Sequence, residues 1–312
     1  RGKETLQEEK KPRRIAEALR GFSFFPRFFC SGVLMTLFPE NFADALLFDD
    51  CPHEDLTTVG LGIGSVPGRI RAQFKTPGIV AGAEIAAAVL SRAGASVCLS
   101  ARDGDLLEAG ATILTAEGPA ESLHAGYKIA QCVMEYASGI AFRTREMVDA
   151  ARAVSPKVQV AGTRKHWPGG KRIALAGLLA GGGIVHRFGL SDSILVFDQH
   201  RVFCDDFEAA FRALQARSPE RKIAVEAGSP EEAMTFVRLG ADIIQCERFS
   251  PEVFASFADA ARAESPNVRL SAAGGVNAKN AALYAEAGAD ILVTSAPYWG
   301  APQDVKMRFE RL

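Results

Sequence analysis

The densest group of potential anion-binding side chains lies between Ser155 and Ser191. This stretch has no Asp or Glu, yet it contains six cations and two histidines: Lys157, Arg164, Lys165, His166, Lys171, Arg172, His186 and Arg187. The whole chain has a formal net charge of -1, so the positive charge is a local concentration. Arg can bind a carboxylate or phosphate through two parallel hydrogen bonds, and Lys acts as a point charge. The pattern predicts a site for a substrate with several anionic groups, and a solvated basic face is the alternative interpretation.

Two clusters of this segment follow short apolar runs and glycine. Arg164 and Lys165 come directly after the predicted strand Val158–Ala161, with Gly162 allowing a tight exit. His186 and Arg187 follow three glycines at positions 181–183. Because the carboxyl ends of parallel strands carry the ligand sites of α/β proteins, both clusters are expected at one mouth.

Acidic residues and a glycine pair are predicted at the same edge. Glu226 follows the strand Ile223–Val225, and Glu247 follows the segment Ile243-Ile244-Gln245-Cys246. Two carboxylates facing a basic mouth indicate a Mg²⁺ site or hydrogen bonds to ribose hydroxyls, although strand ends often carry solvated acids. Ala273, Gly274 and Gly275 follow the strand that begins at Val268, and their backbone N–H groups could hold a phosphate. A Gly-Gly pair can equally be a simple turn.

Strands and helices alternate through the second half of the chain, which is typical of βα repeats around a parallel sheet. The predicted strands are 158–161, 194–197, 223–225, 242–244, 268–270 and 291–294, and the predicted helices are 173–179, 207–215, 230–239, 252–263 and 278–287. Six units without a convincing seventh or eighth favour an incomplete α/β barrel. A doubly wound open sheet is the alternative.

The first half has a different pattern. It predicts helices over 40–47 and 79–90, strands over 95–99 and 111–115, and a long helical region over 120–153. Ser138-Gly139 is predicted to be a soft point in that long helix. We also expect residues 1–34 to be a non-native or disordered extension, with Met35 as the natural start.

Composition excludes several classes of protein. Lys and Arg number 36 against 37 Asp and Glu, so a general nucleic-acid binder is not expected. No apolar run approaches the ~20 residues of a membrane helix. Six cysteines without a CxxC pair argue against structural zinc and disulfides, and they favour reduced thiols in a cytoplasmic protein.

A combination of motifs resembles the quinolinate phosphoribosyltransferase (nicotinate-nucleotide pyrophosphorylase) family. The resemblance covers essentially Met35 to the C terminus. Its main motifs are Asp55-Leu56-Thr57-Thr58, Ser138-Gly139-Ile140-Ala141, Gly162-Thr163-Arg164-Lys165, Gly181-Gly182-Gly183 and His186-Arg187-Phe188-Gly189-Leu190-Ser191-Asp192, followed by Glu226, Glu247 and Gly274-Gly275. Three segments are most similar to the ModD-type branch, which is associated with molybdenum transport genes: 163–169, 197–201 and 294–298.

The resemblance implies an α/β fold with an N-terminal open-faced sandwich over 35–138, an incomplete TIM-like barrel over 139–294, and a return to the first domain over 295–312. It also implies a homodimer. The family reaction joins quinolinate to 5-phosphoribosyl 1-diphosphate with Mg²⁺, and it releases pyrophosphate and carbon dioxide.

Family roles carry over to individual residues. Arg164, His186 and Arg187 would hold substrate carboxylates, and Lys165 would face the phosphoribosyl donor. Glu226 matches the family glutamate near the ribose, and Glu247 stands where the family usually has aspartate. Lys165, Glu226 and Glu247 are thus the candidate catalytic residues, and the two glutamates are the candidate Mg²⁺ ligands. Ala273, Gly274, Gly275 and Thr294 form the implied phosphate region.

Four positions depart from the quinolinate enzymes. Phe197 stands in place of a lysine, and Lys128 stands in place of an arginine supplied across the dimer. Ala273 replaces a serine, and Thr294 replaces a glycine. The sequence therefore predicts the reaction class and leaves the acceptor open. The competing hypothesis is a non-catalytic anion-binding or regulatory protein of a molybdenum transport system. An aldolase-like barrel is disfavoured because no Schiff-base lysine stands among apolar residues.

Overall fold

A seven-stranded parallel sheet and a four-stranded antiparallel sheet form the frame of the chain. The structure is a computed structural model that describes residues 41–312, of which Ala43–Leu312 form one unit. The predictions about residues 1–34 and Met35 lie outside the described residues.

The antiparallel sheet joins distant parts of the chain. Its strands are β1 (Pro67–Phe74), β3 (Ser96–Leu99), β5 (Thr112–Pro119) and β13 (Val305–Arg311), in the order β13-β1-β5-β3. A separate two-residue pair joins β2 (Gly78–Ile79) to β4 (Leu106–Leu107). Ile70, Ala72 and Phe74 alternate along β1 and are fully buried, as expected for a strand with one face on the core. On its other face Arg69 forms ion pairs with Glu117 and Glu310, each at 2.6 Å.

Ten helices lie among the described residues. They are α1 (Phe42–Asp50), α2 (Leu56–Gly60), α3 (Ala83–Arg92), α4 (Ala120–Val154), α5 (Lys171–Ala180), α6 (Asp198–Arg201), α7 (Phe207–Arg217), α8 (Pro230–Leu239), α9 (Pro251–Glu264) and α10 (Ala281–Glu286), with a short 3-10 helix at Ala296–Tyr298. Ser229 and Ser250 each cap the helix that begins at the next residue, a proline, which explains these two sharp starts. No helix of residues 41–312 combines the length and apolar character needed to cross a membrane.

The 35-residue helix α4 runs without a break through Ser138 and Gly139, so the predicted soft point is wrong. Neighbouring backbone approaches closely at both small residues. The Ser138 hydroxyl accepts a hydrogen bond from the Ala81 N–H at 3.1 Å. A Cβ on Gly139 would lie 2.6 Å from the carbonyl oxygen of Ala301. These small residues therefore allow close packing rather than a bend.

The parallel sheet forms the incomplete barrel predicted from the sequence. Its strands are β6 (Gln159–Gly162), β7 (Ile184–Val185), β8 (Ile194–Val196), β9 (Ile223–Ala227), β10 (Ile243–Glu247), β11 (Arg269–Ala273) and β12 (Ile291–Thr294). Their order is β7-β6-β12-β11-β10-β9-β8. Strands β8 to β12 follow one another in sequence without a reversal, which excludes the doubly wound alternative. The opening lies between β7 and β8, where no ladder forms.

Candidate active site

A cavity of about 410 Å³ opens at the carboxyl ends of the parallel strands. It contains every site residue predicted from the sequence except Lys128. Its predicted lining residues are Arg164, Lys165, His186, Arg187, Phe197, Glu226, Glu247, Ala273, Gly274, Gly275 and Thr294. The rule that ligands collect at strand ends therefore placed the cavity correctly.

Strand alternation turns the functional side chains inward. On β10, Gln245 and Glu247 line the cavity, while Ile244 and Cys246 belong to the buried core with the outer helices. Burial raises the pKa of the Cys246 thiol, and this residue is a packing position as predicted. The deeper interior is filled by small side chains, including Ala161 and Ala273. Small residues at these inward positions leave room for a ligand.

The basic side of the cavity contains one buried and two exposed cations. Arg164 and Lys165 are exposed on the loop after β6, whereas Arg187 after β7 is only 7% exposed. Arg187 places its guanidinium carbon 5.5 Å from the centroid of the Phe197 ring. Among residues 41–312, no carboxylate lies within ion-pair distance of Arg187. Burial and the nearby Arg164 charge lower the pKa of this guanidinium.

The contact between Arg187 and Phe197 crosses the opening of the barrel. Arg187 follows β7 and Phe197 follows β8, the two edge strands of the parallel sheet. A guanidinium over an aromatic face is attracted by the ring quadrupole. Side chains thus connect the two edges at the level of the cavity, where no backbone ladder does.

Three other cations of the basic segment do not line the cavity. Lys157 precedes β6 and so lies at the opposite end of that strand. The Lys171 ammonium donates a hydrogen bond to the carbonyl oxygen of Phe188. Arg172 stands in the first turn of α5. The basic segment therefore lines the cavity at its strand ends and is an ordinary basic surface elsewhere.

His186 is half-buried beside Arg187. Burial lowers the pKa of its imidazole, and the Arg187 charge lowers it further. Both effects favour the neutral imidazole, which can donate one hydrogen bond and accept another.

The acidic side of the cavity is organised around Glu226. Its Oε2 accepts a hydrogen bond of 2.6 Å from the Gln245 side-chain amide. Burial raises the pKa of the Glu226 carboxyl, and the Glu247 charge adds to this, while Gln245, Lys165 and Arg201 act in the opposite direction. The Glu247 Oε1 lies 3.5 Å from Nε of Arg248. Two carboxylates therefore face the cavity, one of them restrained by a buried amide.

The glycine pair after β11 adopts left-handed backbone at both positions, with φ of 80° at Gly274 and 88° at Gly275. A Cβ on Gly274 would meet Glu247 Oε1 at 2.6 Å, whereas a Cβ at Gly275 would meet nothing. The left-handed backbone therefore favours glycine at position 274, and a side chain there would also crowd Arg248 and Glu247. The Gly275 carbonyl accepts hydrogen bonds from the side-chain amides of Asn277 and Asn280, which hold this turn at the cavity edge.

The Thr294 hydroxyl is occupied within the fold. It donates to the Val276 carbonyl at 2.6 Å and accepts from the Ala296 N–H at 3.0 Å. The hydroxyl connects the β12 end to the segment after the glycine turn. Thr294 therefore shapes the cavity wall, and its hydroxyl proton is already used in the hydrogen bond to the Val276 carbonyl.

Lys128 lies away from this cavity. It is exposed on α4, donates to Gln131 Oε1 at 2.9 Å, and lines a separate cleft with Lys75, Lys306 and Arg308. Within a single chain, Lys128 therefore does not contribute to the candidate site.

Glu226 and Glu247 supply carboxylate oxygens, the ligand type that hard cations such as Mg²⁺ take. Among the described residues, no group of three His, Cys, Asp or Glu side chains is placed to hold a metal. Mg²⁺ commonly keeps several waters and is bound through one or two carboxylates together with substrate phosphates. Glu226 and Glu247 are two such carboxylates, and their cavity also carries the cations that would bind phosphate.

Four further polar residues line the cavity and were not among the predicted site residues: Thr163, Gln245, Asn277 and Ser295. Thr163 caps its own loop by accepting from the Lys165 N–H at 3.1 Å. The only sequence signal for Gln245 is a polar residue within an otherwise apolar strand between two acidic strand ends. That signal becomes visible only when the inward face of β10 is known.

Two family models together cover most of the described chain. The model for "Quinolinate phosphoribosyl transferase, N-terminal domain" matches residues 55–138. The model for "Quinolinate phosphoribosyl transferase, C-terminal domain" matches residues 140–308.

Named relatives match across nearly their whole length. The protein named "Putative pyrophosphorylase ModD" from Pasteurella multocida is 37% identical over 280 residues, which are 89% of this chain and 99% of that protein. The protein of the same name from Rhodobacter capsulatus is 39% identical over 250 residues, 80% of this chain and 96% of that protein. Human nicotinate-nucleotide pyrophosphorylase [carboxylating] is 32% identical over 265 residues, 84% of this chain and 89% of the human protein.

A solved structure shows the same fold. The structure of NadC from Streptococcus pyogenes aligns with a TM-score of 0.79 and 24% identity, and it covers 88% of this chain and 96% of that one.

Proposed function

The chain belongs to the quinolinate phosphoribosyltransferase family, and from that premise we propose that it transfers the phosphoribosyl group of 5-phosphoribosyl 1-diphosphate to a carboxylated N-heterocycle and releases pyrophosphate. One observation carries the proposal. A single cavity brings three cations and two carboxylates to the same strand ends. A site for simple anion binding has no use for the carboxylates. Phosphoribosyl transfer uses the cations to bind the anionic donor and the carboxylates to stabilise the cationic carbon that develops during the reaction.

The acidic side suits the phosphoribosyl donor. As pyrophosphate leaves, positive charge develops at the anomeric carbon of the ribose. Glu226 and Glu247 can stabilise that charge, or accept hydrogen bonds from ribose hydroxyls, from positions already fixed by Gln245 and the glycine turn. Lys165 on the opposite loop can bind the departing phosphates.

Mg²⁺ held between the two glutamates and the diphosphate would neutralise part of the leaving group's charge. The chain itself supplies binding and orientation. We assign no nucleophilic side chain, because the heterocycle nitrogen is the nucleophile. The buried Cys246 faces the core and not the cavity.

The basic side suits the acceptor. Arg187 and Arg164 can bind a carboxylate, with neutral His186 as a hydrogen-bond donor. Phe197 offers a flat apolar surface for a heteroaromatic ring, already packed on one side by Arg187. An acceptor with a second, adjacent carboxylate would place that group near Phe197, where the lysine of the quinolinate enzymes is missing and the nearby Arg187 already serves the first carboxylate, which disfavours it. The proposed acceptor therefore carries a single well-placed carboxylate, and quinolinate is a poor substrate.

A homodimer is part of the proposal. Lys128 would enter the partner's cavity from its exposed position on α4, as the family resemblance implies. The cytoplasmic location belongs here too, and it is consistent with the cysteines of residues 41–312 being free thiols.

The test is a pyrophosphate-release screen with 5-phosphoribosyl 1-diphosphate, Mg²⁺ and a panel of carboxylated pyridines and related heterocycles. We expect release with at least one acceptor, and its loss in Glu226→Gln. Lys157→Ala is the matched control, because it removes a cation of the same segment at the opposite end of β6. Tight binding of the donor without release for any acceptor would favour the competing hypothesis of a non-catalytic anion-binding protein.

A further inference from the structure

Gln245 is a buried amide with one half of its hydrogen-bonding capacity unused. The residue is 4% exposed and lies in the middle of β10, facing the cavity. Its Nε2 donates to Glu226 Oε2 at 2.6 Å. Its Oε1 is buried and accepts no hydrogen bond from any described residue.

The orientation of this amide follows from its neighbour. An ionised carboxylate can only accept hydrogen bonds, so the NH₂ group must face Glu226 and the carbonyl oxygen must face elsewhere. The strand register places Gln245 beside Glu226 on one side and Ser271 on the other. The Ser271 hydroxyl donates to the Ile244 carbonyl at 3.3 Å and so serves another acceptor. The fold gives the Gln245 carbonyl no partner of its own.

A buried acceptor without a partner destabilises a protein, and each such atom in a native structure calls for an explanation, among them a bound ligand, ion or water. A leucine or methionine would fill this position without an unpaired carbonyl oxygen, but it would also remove the hydrogen bond to Glu226. Glu226 explains the NH₂ group of the amide, and a ligand explains the carbonyl oxygen better than packing does.

We propose that Gln245 is a specificity-determining residue of the cavity, whose carbonyl oxygen accepts a hydrogen bond from an O–H or N–H group of the bound substrate. This inference rests on the proposed function, since it concerns the same cavity. The required chemistry has two sources. One is a ribose hydroxyl of 5-phosphoribosyl 1-diphosphate, and the other is an amino or hydroxyl substituent of the heterocyclic acceptor.

The experiment compares wild type with Gln245→Met, which has a similar size and no amide. Binding of 5-phosphoribosyl 1-diphosphate is measured by calorimetry, and KM is measured for pairs of pyridine carboxylates that differ only by an amino or hydroxyl group. Removing one uncharged hydrogen bond weakens binding by about 2- to 12-fold. If a ribose hydroxyl donates this hydrogen bond, the Kd of 5-phosphoribosyl 1-diphosphate rises by this factor. If a substituent of the heterocycle donates it, that Kd is unchanged, and KM rises only for the substituted member of each pair.

Two further variants make the outcome decisive. Gln245→Leu repeats the test in case the methionine variant folds poorly. Ser271→Ala removes a buried hydroxyl on the adjacent strand that does not line the cavity, and it is expected to bind every probe as wild type does. Unchanged Kd and unchanged selectivity in both Gln245 variants would overturn the inference while leaving the proposed function intact. A wild-type protein that neither binds 5-phosphoribosyl 1-diphosphate nor releases pyrophosphate would overturn both.

Discussion

Replacing Arg187 with methionine is expected to abolish tight acceptor binding without weakening the fold. Arg187 is 7% exposed, and its guanidinium carbon lies 5.5 Å from the centroid of the Phe197 ring. A buried guanidinium without a carboxylate is an incompletely compensated charge. An anionic ligand would supply the missing partner.

The magnitude on binding follows from that geometry. A hydrogen bond to a charged group contributes about 1.5–3 kcal/mol, which is about 10- to 150-fold in affinity. The exposed Arg164 is a weaker contributor, because an ion pair in solvent is worth about 0–1 kcal/mol, or about fivefold at most. We therefore expect Arg187→Met to raise the acceptor KM far more than Arg164→Met does.

The effect of Arg187→Met on the stability of the fold is expected to have the opposite sign. Methionine loses a cation–π contact of about 0.5–2 kcal/mol but also removes the desolvation cost of the buried charge, which is several kcal/mol in an idealised apolar site. The thermal midpoint of the ligand-free variant is expected to be equal to that of wild type or about 2 °C higher.

The assays are acceptor KM in pyrophosphate release, the Kd of 5-phosphoribosyl 1-diphosphate by calorimetry, and thermal unfolding without ligand. Two results would refute the reasoning. Equal losses in the Arg187 and Arg164 variants would show that burial does not set the strength of the acceptor contact. A midpoint several degrees below wild type would show that the guanidinium supports the fold.

Three other predictions concern assembly, selectivity and pH. Mixed dimers of Lys128→Ala and Arg164→Ala subunits should recover activity at one of their two sites, and a monomer in sedimentation at micromolar concentration would contradict this. Phe197→Lys should raise the initially weak rate with quinolinate in the pyrophosphate assay, with the gain reduced by repulsion from Arg187; efficient wild-type turnover of quinolinate would show the idea to be wrong. Burial raises the pKa of Asp103 to about 6 from 3.8, despite hydrogen bonds from the Gly82 and Ala83 N–H groups, so its protonation stabilises the folded state as pH falls through that window. Urea unfolding at pH 7 and pH 5 should show a gain of about 1 kcal/mol that Asp103→Asn lacks.

Local patterns predicted most of the barrel. Pro230 and Pro251 follow serine caps, so the starts of those two helices were correct to within a residue. The starts predicted at 173 and 278 were two and three residues from the observed Lys171 and Ala281, and strand positions were correct to within a few residues. β7 was missed because it has only the two residues Ile184 and Val185 after three glycines. Such a short strand forms because it pairs with β6, and a pattern in its own residues does not predict that pairing.

The candidate site was predicted where it depends on strand ends and missed where it depends on strand faces. Arg164 and Arg187 were placed correctly because both follow strands, yet their difference in burial was invisible in the sequence. Gln245 stayed hidden because a buried apolar strand in a parallel sheet shows no alternation. Lys128 depends on a second copy of the chain, and one chain cannot show that contact.

The pairing of β1 with β13 has a consequence for synthesis. Arg69 and its partner Glu310 are 241 positions apart, and translation at about 5–20 residues per second separates their appearance by about 12–48 s. Throughout that interval the β1 edge on which β13 will pair presents open backbone groups, which can template association with other nascent chains. Arg69 and Arg71 on that strand place positive charges beside the open edge. The same arginines that later bind Glu310 would first act as gatekeepers, keeping neighbouring chains on a polysome apart until the last strand emerges.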